Sequence, residues 1–252
     1  MSGLPSKQAG EPHKQAVSTA FGAIAPFYDA WYTTPIGRYV WAVETAATLA
    51  LLSAQETGIA LEIGVGTGMA LGILKTASHN LVGIDISWQM LQNAYEKTQA
   101  DIQTHLVLAD GENLPFRKNS LSLIMGMTVI EFVPNPSELL LEVRRVLHID
   151  GRLILGVLTS TNLWALERRI RNLVTPDVFQ FAAFPSPWQM KRMLHRAGFT
   201  VCATKGSVYA PSFVPSRCIN QLAQIDQVLG QQWLTRPWGA FYSILACLSK
   251  TS

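Results

Sequence analysis

Residues 60–69, Ala-Leu-Glu-Ile-Gly-Val-Gly-Thr-Gly-Met, constrain this chain more than any other stretch. Ala60, Leu61 and Ile63 read as a buried strand. Gly64, Gly66 and Gly68 then turn the chain, and the apolar stripe from Met69 to Leu74 opens a helix. Glycines can take positive φ, and without Cβ atoms they let a ligand lie against main-chain N–H groups at a helix end that favours negative charge. The spacing is G-x-G-x-G rather than the G-x-G-x-x-G of dinucleotide binders, and Glu62 precedes the first glycine by two residues. A carboxylate there repels a pyrophosphate and tolerates a ligand that carries an ammonium. Glycines so placed also serve plain tight turns, so the motif alone leaves both readings open.

The next segments extend the pattern. Residues 80–85, Asn-Leu-Val-Gly-Ile-Asp, form a second short apolar strand that ends on an acid. Ser87 is a good N-cap for a helix over residues 88–98, which exposes Asp85 at the strand-to-helix corner. Residues 105–110, His-Leu-Val-Leu-Ala-Asp, end on Asp110 and run into Gly111 and Glu112. Open α/β sheets bind ligands at the carboxyl ends of their strands, and an acid at the second strand tip can accept both ribose hydroxyls of a nucleoside. Asp85 could also be a turn former, and Asp110-Gly111 a plain turn.

Four motifs now stand in order: residues 61–68 (Leu-Glu-Ile-Gly-Val-Gly-Thr-Gly), 83–87 (Gly-Ile-Asp-Ile-Ser), 109–116 (Ala-Asp-Gly-Glu-Asn-Leu-Pro-Phe) and 142–153 (Glu-Val-Arg-Arg-Val-Leu-His-Ile-Asp-Gly-Arg-Leu). In these the sequence resembles the class I S-adenosylmethionine-dependent methyltransferases, in particular the group of ubiquinone/menaquinone-biosynthesis and other small-molecule enzymes. The resemblance covers residues 20–160 in motif and the C-terminal third in pattern. It implies a Rossmann-like, doubly wound, mostly parallel seven-stranded sheet with a C-terminal antiparallel hairpin strand. It also implies S-adenosylmethionine as cofactor, with S-adenosylhomocysteine as product, held by Tyr28, Glu62, Gly64, Gly66, Gly68, Asp85, Ile86, Asp110, Gly111, Glu112 and Met127. In such enzymes a Tyr-Asp pair near the N-terminus helps to cover the cofactor, and Tyr28-Asp29 occupies that place. Asp110 would accept from the adenine amino group. The tip of a fourth strand over residues 120–127 would border the reactive methyl.

The rest of the chain fits one methyltransferase domain over residues 16–252: a helical cover at 16–55, a cofactor-binding core at 56–160, and a lid, substrate region and terminal strands at 161–252. Residues 1–15 are polar, lack an apolar period and are expected to be a disordered tail. Residues 18–29 read as a short helix, 30–37 as a loop and 38–52 as a helix. Asn135 is expected to cap a helix opened by Pro136, with Glu138 completing a capping box and Asp150-Gly151 ending the run before a fifth strand at 152–158. Residues 162–173 are amphipathic, with Arg168, Arg169 and Arg171 opposite Leu163, Leu166 and Ile170. This reads as a solvated lid helix, with weak peripheral contact to anionic lipid as the sharper alternative. Two late strands, at 199–204 and 240–249, supply the reversed hairpin.

Composition narrows the function classes. With 48% apolar and 15% charged residues, and seven Trp, the chain is more apolar than an average soluble enzyme, which hints at a lipophilic pocket. The net charge of +3 comes without a long basic run, so no nucleic acid is expected as partner. Cys202, Cys218 and Cys247 are isolated; they suggest reduced core residues and no metal site. No apolar run reaches about 18 residues, since Glu44 interrupts residues 41–53, so no membrane span is expected and the protein reads as cytoplasmic, a monomer or homodimer.

Methyl transfer from a sulfonium is an in-line displacement with an activated leaving group, so the protein must mainly align the acceptor and exclude water, and remove a proton where needed. Candidate bases are Glu131, after the fourth strand, and Tyr28, with Tyr32 a third. Tyr28, Trp31 and Phe132 could stabilise a sulfonium by cation–π contact. The aromatics of residues 28–37 and 162–184 suggest a small, largely apolar acceptor that enters under a lid made from these segments. Two other functions remain open on sequence: an NAD-dependent oxidoreductase, which Glu62 and the short glycine spacing disfavour, and a non-catalytic S-adenosylmethionine-binding module.

Overall fold

The computed structural model describes residues 7–52, 58–78, 80–215 and 219–249. Seven strands form one sheet: β1 (Ile59–Ile63), β2 (Asn80–Asp85), β3 (Thr104–Leu108), β4 (Leu121–Met127), β5 (Leu147–Leu158), β6 (Phe199–Ser207) and β7 (Phe241–Leu248), in the order β3-β2-β1-β4-β5-β7-β6. β1, β2, β3, β4 and β5 pair in parallel, and β7 runs antiparallel to both β5 and β6. The expected sheet with its reversed C-terminal hairpin is therefore present. The α-helices among the described residues are α1 (Lys7–Ile24), α2 (Tyr28–Thr33), α3 (Pro35–Leu49), α4 (Leu71–Lys75), α5 (Trp88–Thr98), α6 (Pro136–Val146), α7 (Leu163–Val174), α8 (Pro187–Arg196) and α9 (Ile219–Gln231).

Strands in the middle of the sheet are buried on both faces, so their sequences are continuously apolar rather than alternating. Period-two geometry still divides them. Leu61, Ile63, Ile124 and Leu153 join one core with α6 and α8, while Ala60, Leu123, Met125 and Ile154 join another with Tyr39 and Val40 of α3 and Ile73 and Leu74 of α4. From β1 the chain passes to β2 and β3 on one side and returns to β4 and β5 on the other. The strand order reverses between β1 and β4, which is where such sheets open a ligand crevice.

Several expectations need correction. Of the tail expected at residues 1–15, residues 1–6 lie outside the described residues, and residues 7–15 are not disordered but the first half of α1. Their polar composition gives no helix signal, and tertiary contacts supply the stabilisation: His13 Nε2 lies 3.1 Å from Phe132 O, Lys14 reaches Asp110 and Glu112, and Val17 is buried. Residues 30–37 are not a loop. Thr34 caps α3 by accepting from Gly37 N–H at 3.1 Å, Pro35 sits at its first position, and α2 therefore abuts α3 directly. Only glycine fits at 37, because a Cβ there would lie 2.1 Å from Trp31 O.

Ser87 caps α5 as expected, accepting from Met90 N–H at 3.4 Å. Asn135 stands at the start of α6 but its side chain makes no capping bond; its main-chain N–H instead donates to Glu112 Oε1 at 2.8 Å. Asp150 and Gly151 lie inside β5, which begins at Leu147 because Leu147 pairs with Leu121 before a register shift. Cys202 is exposed and Cys247 half-buried on the edge hairpin, so these two free thiols are not core residues; Cys218 lies outside the described residues. Among the described residues no helix is long and apolar enough to cross a membrane.

Candidate active site

A cleft of about 1130 Å³, its mouth included, opens at the strand tips on either side of the β1–β4 boundary. The cradle forms its floor. Gly64 and Gly66 adopt φ of +69° and +53°, which L side chains take only at a cost. Gly66 N–H donates to Asp85 Oδ2 at 2.9 Å, and Ser87 N–H donates to Asp85 Oδ1 at 2.8 Å. Asp85 thus fastens the glycine turn to the start of α5 while its carboxylate still lines the cleft. A Cβ on Gly66 would meet no protein atom within 4 Å, so the space beside this turn belongs to the cleft.

Glu62 lines the same floor. It is 1% exposed, and its Oε2 has no hydrogen-bond partner among the described residues. Burial, reinforced by the nearby Asp85 charge, pushes its carboxyl well above the usual carboxylate range. Asp85 is pushed up by burial too, against the N–H groups of Ser87, Gly66 and Ile86, which favour its charged form. A buried carboxylate oxygen without a partner is costly, and a cationic ligand group at this spot would relieve the cost.

Across the floor, Thr128 follows β4 with φ of +49°, a rare conformation for a β-branched residue and one that stores strain on the order of 1–3 kcal/mol. Its N–H donates to Gly156 O at 2.7 Å, and Met127, Thr128 and Val129 all face the cleft. Asp110 and Gly111 line the opposite end. Lys14 of α1 spans this end, with its Nζ 2.6 Å from Asp110 Oδ2 and 2.5 Å from Glu112 Oε2. Burial works against the Lys14 ammonium, but hydrogen bonds and charge from these two acids outweigh it and raise its pKa.

The roof comes from α1, α2 and α3. Phe21, Tyr28, Tyr32 and Trp41 enclose an aromatic end, joined from below by Phe132. Phe21 stacks edge-on against Phe132 at 4.9 Å, Tyr28 lies 5.8 Å from Tyr32, and Tyr32 5.6 Å from Trp41. Asp29, beside Tyr28, accepts from Thr67 Oγ1 at 2.6 Å and pairs with Lys97, which ties α2 to the cradle.

Of the residues singled out by sequence, Tyr28, Glu62, Gly64, Gly66, Asp85, Ile86, Asp110, Gly111 and Met127 line this one cleft. Gly68 and Glu112 do not line it; Gly68 packs against Ala94 in the middle of α5, and Glu112 is held by Lys14 and Asn135 N–H. Glu131 does not line it either. It is buried, its Oε1 accepts from Leu158 N–H, and burial brings its pKa up to about 7. Residues 162–184 contribute no lining residue and act from behind, where Phe179 packs on Phe132 at 6.1 Å and Ala183 N–H donates to Glu131 O at 2.7 Å.

Sequence reasoning missed Lys14, Trp41, Thr128 and Glu44 as lining residues. Glu44 did leave a signal: it is the one charge inside the apolar run 41–53. Thr128 left none, since nothing about a β-branched residue announces positive φ.

Sheet order, terminal antiparallel strand and strand-tip cradle together define an open α/β protein built to hold a nucleoside-bearing cofactor. The family model described as "Methyltransferase domain" matches residues 61–155. A protein of Methanocaldococcus jannaschii is 31% identical over 182 residues, 71% of this chain and 80% of that protein. The malonyl-[acyl-carrier protein] O-methyltransferase of a Marinomonas strain is 32% identical over 117 residues, 46% of this chain and 43% of that enzyme. In fold, a crystal structure of a Thermotoga maritima SAM-dependent methyltransferase, described as a possible histamine N-methyltransferase, superposes with a TM-score of 0.68 at 23% identity and covers 92% of this chain and 99% of its own. This chain belongs to the S-adenosylmethionine-dependent methyltransferase family. It spans about two thirds of the length of the mycobacterial relatives that it matches at 30% identity.

Proposed function

We propose that this protein transfers the methyl group of S-adenosylmethionine to a small, largely apolar acceptor held at the aromatic end of the cleft, with S-adenosylhomocysteine as product. The unpartnered Oε2 of Glu62, buried at the cradle floor, carries this reading. An amino-acid ammonium seated there satisfies the oxygen and supplies the opposite charge, whereas the pyrophosphate of a nicotinamide cofactor would be repelled. On this reading Asp85 accepts the ribose hydroxyls, the open side of Gly66 admits the methionine portion, and Asp110 takes the adenine amino group once Lys14 shifts its weight to Glu112. Bound in this way, the cofactor supplies an activated methyl on sulfur.

The chain's own contribution is then placement. Thr128, in its strained conformation, holds the β4 tip against the place where cradle and aromatic end meet. Phe21, Tyr28, Tyr32, Trp41 and Phe132 offer the acceptor an apolar wall and keep water out, and effective concentration of this kind accounts for much of the barrier reduction in such displacements. Glu131, turned toward Leu158 N–H, serves this reading as a support for the β5 end rather than as the base that takes a proton.

Mass spectrometry of reactions containing S-adenosylmethionine and a panel of small aromatic and aliphatic phenols, thiols, amines and carbon acids tests the proposal. S-adenosylhomocysteine should accumulate only when an accepted member of the panel is present. Tight S-adenosylhomocysteine binding without turnover on any member would favour a cofactor-binding module instead.

A further inference from the structure

Glu44 is the lining residue that the cofactor does not explain. It lies on α3, is 5% exposed, faces the aromatic end of the cleft, and has neither a hydrogen bond nor an ion pair within 4 Å among the described residues. Trp41, three residues earlier, shares its helix face, and Tyr28 and Tyr32, four residues apart on α2, share another. Both faces line the same cavity, with Tyr32 touching Tyr28 on one side and Trp41 on the other. A buried carboxylate among aromatic rings is the combination that recognises a cationic nitrogen, the rings through their π faces and the acid through charge.

Resting on the methyltransferase reading above, we propose that Glu44 and the rings of Tyr28, Tyr32 and Trp41 form the seat of an ammonium, so that the methyl acceptor is a small amine with an apolar body. The charge balance of the cleft supports this. Of the acids that line it, Asp110 is paired with Lys14, and the cofactor reading assigns Glu62 and Asp85, which leaves Glu44 as the lining acid without a partner among the described residues. The groups around Glu44 do not neutralise it. Arg168 attracts it without closing an ion pair, its guanidinium being stacked against Trp164, Phe179 and Phe184, while Glu131 and Asp226 repel it. In the empty cleft burial keeps the Glu44 carboxyl largely protonated; an ammonium seated beside it stabilises the ionised form and the proton leaves to water, whereas an alcohol or phenol brings no charge to pair with it and a carboxylate would repel it.

The same group accounts for the proton. The seated ammonium gives one proton to the Glu44 carboxylate and becomes a neutral amine. Its lone pair forms the N–C bond to the methyl as the C–S bond breaks, and that bond's electrons stay on sulfur. A methylated ammonium leaves with S-adenosylhomocysteine, and Glu44 returns its proton to water.

Calorimetric titration of the protein saturated with S-adenosylhomocysteine tests the seat independently of turnover. The probes are phenethylamine, cyclohexylamine and hexylamine, each paired with its alcohol, 2-phenylethanol, cyclohexanol or hexanol. At least one amine should bind about tenfold or more tightly than its alcohol. Glu44→Gln should shrink that preference to within roughly threefold, and Glu44→Asp, which keeps the charge, should restore part of it. Both variants should bind S-adenosylhomocysteine as the wild type does, which marks the cradle as intact. Alcohols that bind as well as the amines, amines that all fail to bind, or a preference that survives Glu44→Gln would each overturn the proposal while leaving the methyltransferase reading standing. Failure of the wild type to bind S-adenosylhomocysteine would instead overturn that reading, and this proposal with it.

Discussion

Glu44 makes a prediction about stability as well as binding. Burial raises its pKa from 4.5 to about 8, with Arg168 opposing and Glu131 and Asp226 adding to the rise. Between those values the native chain holds a proton that the unfolded chain has released, so stability contributed at low pH is lost as pH rises from about 4.5 toward about 8. Glu44→Gln keeps the shape and cannot ionise. Thermal unfolding should therefore find the variant close to wild type at about pH 5 and more stable by on the order of a few kcal/mol at about pH 9. Glu62 and Asp85, also raised by burial, are present in both proteins and largely cancel in the difference. A difference that stays flat across this window would mean that Glu44 is better solvated than its burial implies.

The roof and the α7 region both carry aromatics, yet they stand differently toward the cleft. α1, α2 and α3 contribute to its lining, while Phe179, in the turn at Val178–Phe181 that follows α7, packs on Phe132 from outside. Access of ligand must then be governed by the roof. α3 is anchored by buried bonds such as Tyr39 to Asp226, but several ties of α1 and α2 are partly exposed: Lys14 to Asp110 and Glu112, His13 to Phe132 O, Ser18 Oγ donating to Ile86 O at 3.0 Å, and Asp29 to Thr67 and Lys97. Ties of this kind open locally at low cost. Limited trypsin digestion should cut at Lys14 or Arg38 in the free protein and much more slowly with S-adenosylhomocysteine bound, whereas cuts at Arg169 or Arg171 on α7 should not change. Protection confined to α7 would move the gate to the insertion.

At the level of the whole molecule, much of the sheet was legible because its signals are local. The apolar runs at 60–63, 80–85 and 121–127 give strands, and the acids and glycines that end them mark the tips that a switch point brings together. What sequence could not give depends on partners far along the chain. Residues 7–15 are helical because Phe132, Asp110 and Glu112 hold them, and polar composition says nothing of such contacts. Glu131 follows β4 at a catalytic spacing, but its carboxylate turns to Leu158 N–H, a direction that only the register of β4 on β5 decides. Glu44 was visible as a charge in an apolar run, yet its facing Tyr28 and Tyr32 required α2 to fold as a helix rather than a loop. The central claim is that the glycine-and-acid floor binds the adenosyl amino acid of the family's cofactor. Calorimetry of the wild type and Asp85→Ala with S-adenosylhomocysteine, and with NAD as the control, tests it most directly. One site per chain, weakened by about 1–3 kcal/mol in Asp85→Ala and silent toward NAD, is the predicted result; equal affinity in the two proteins, or heat from NAD and none from S-adenosylhomocysteine, would contradict it.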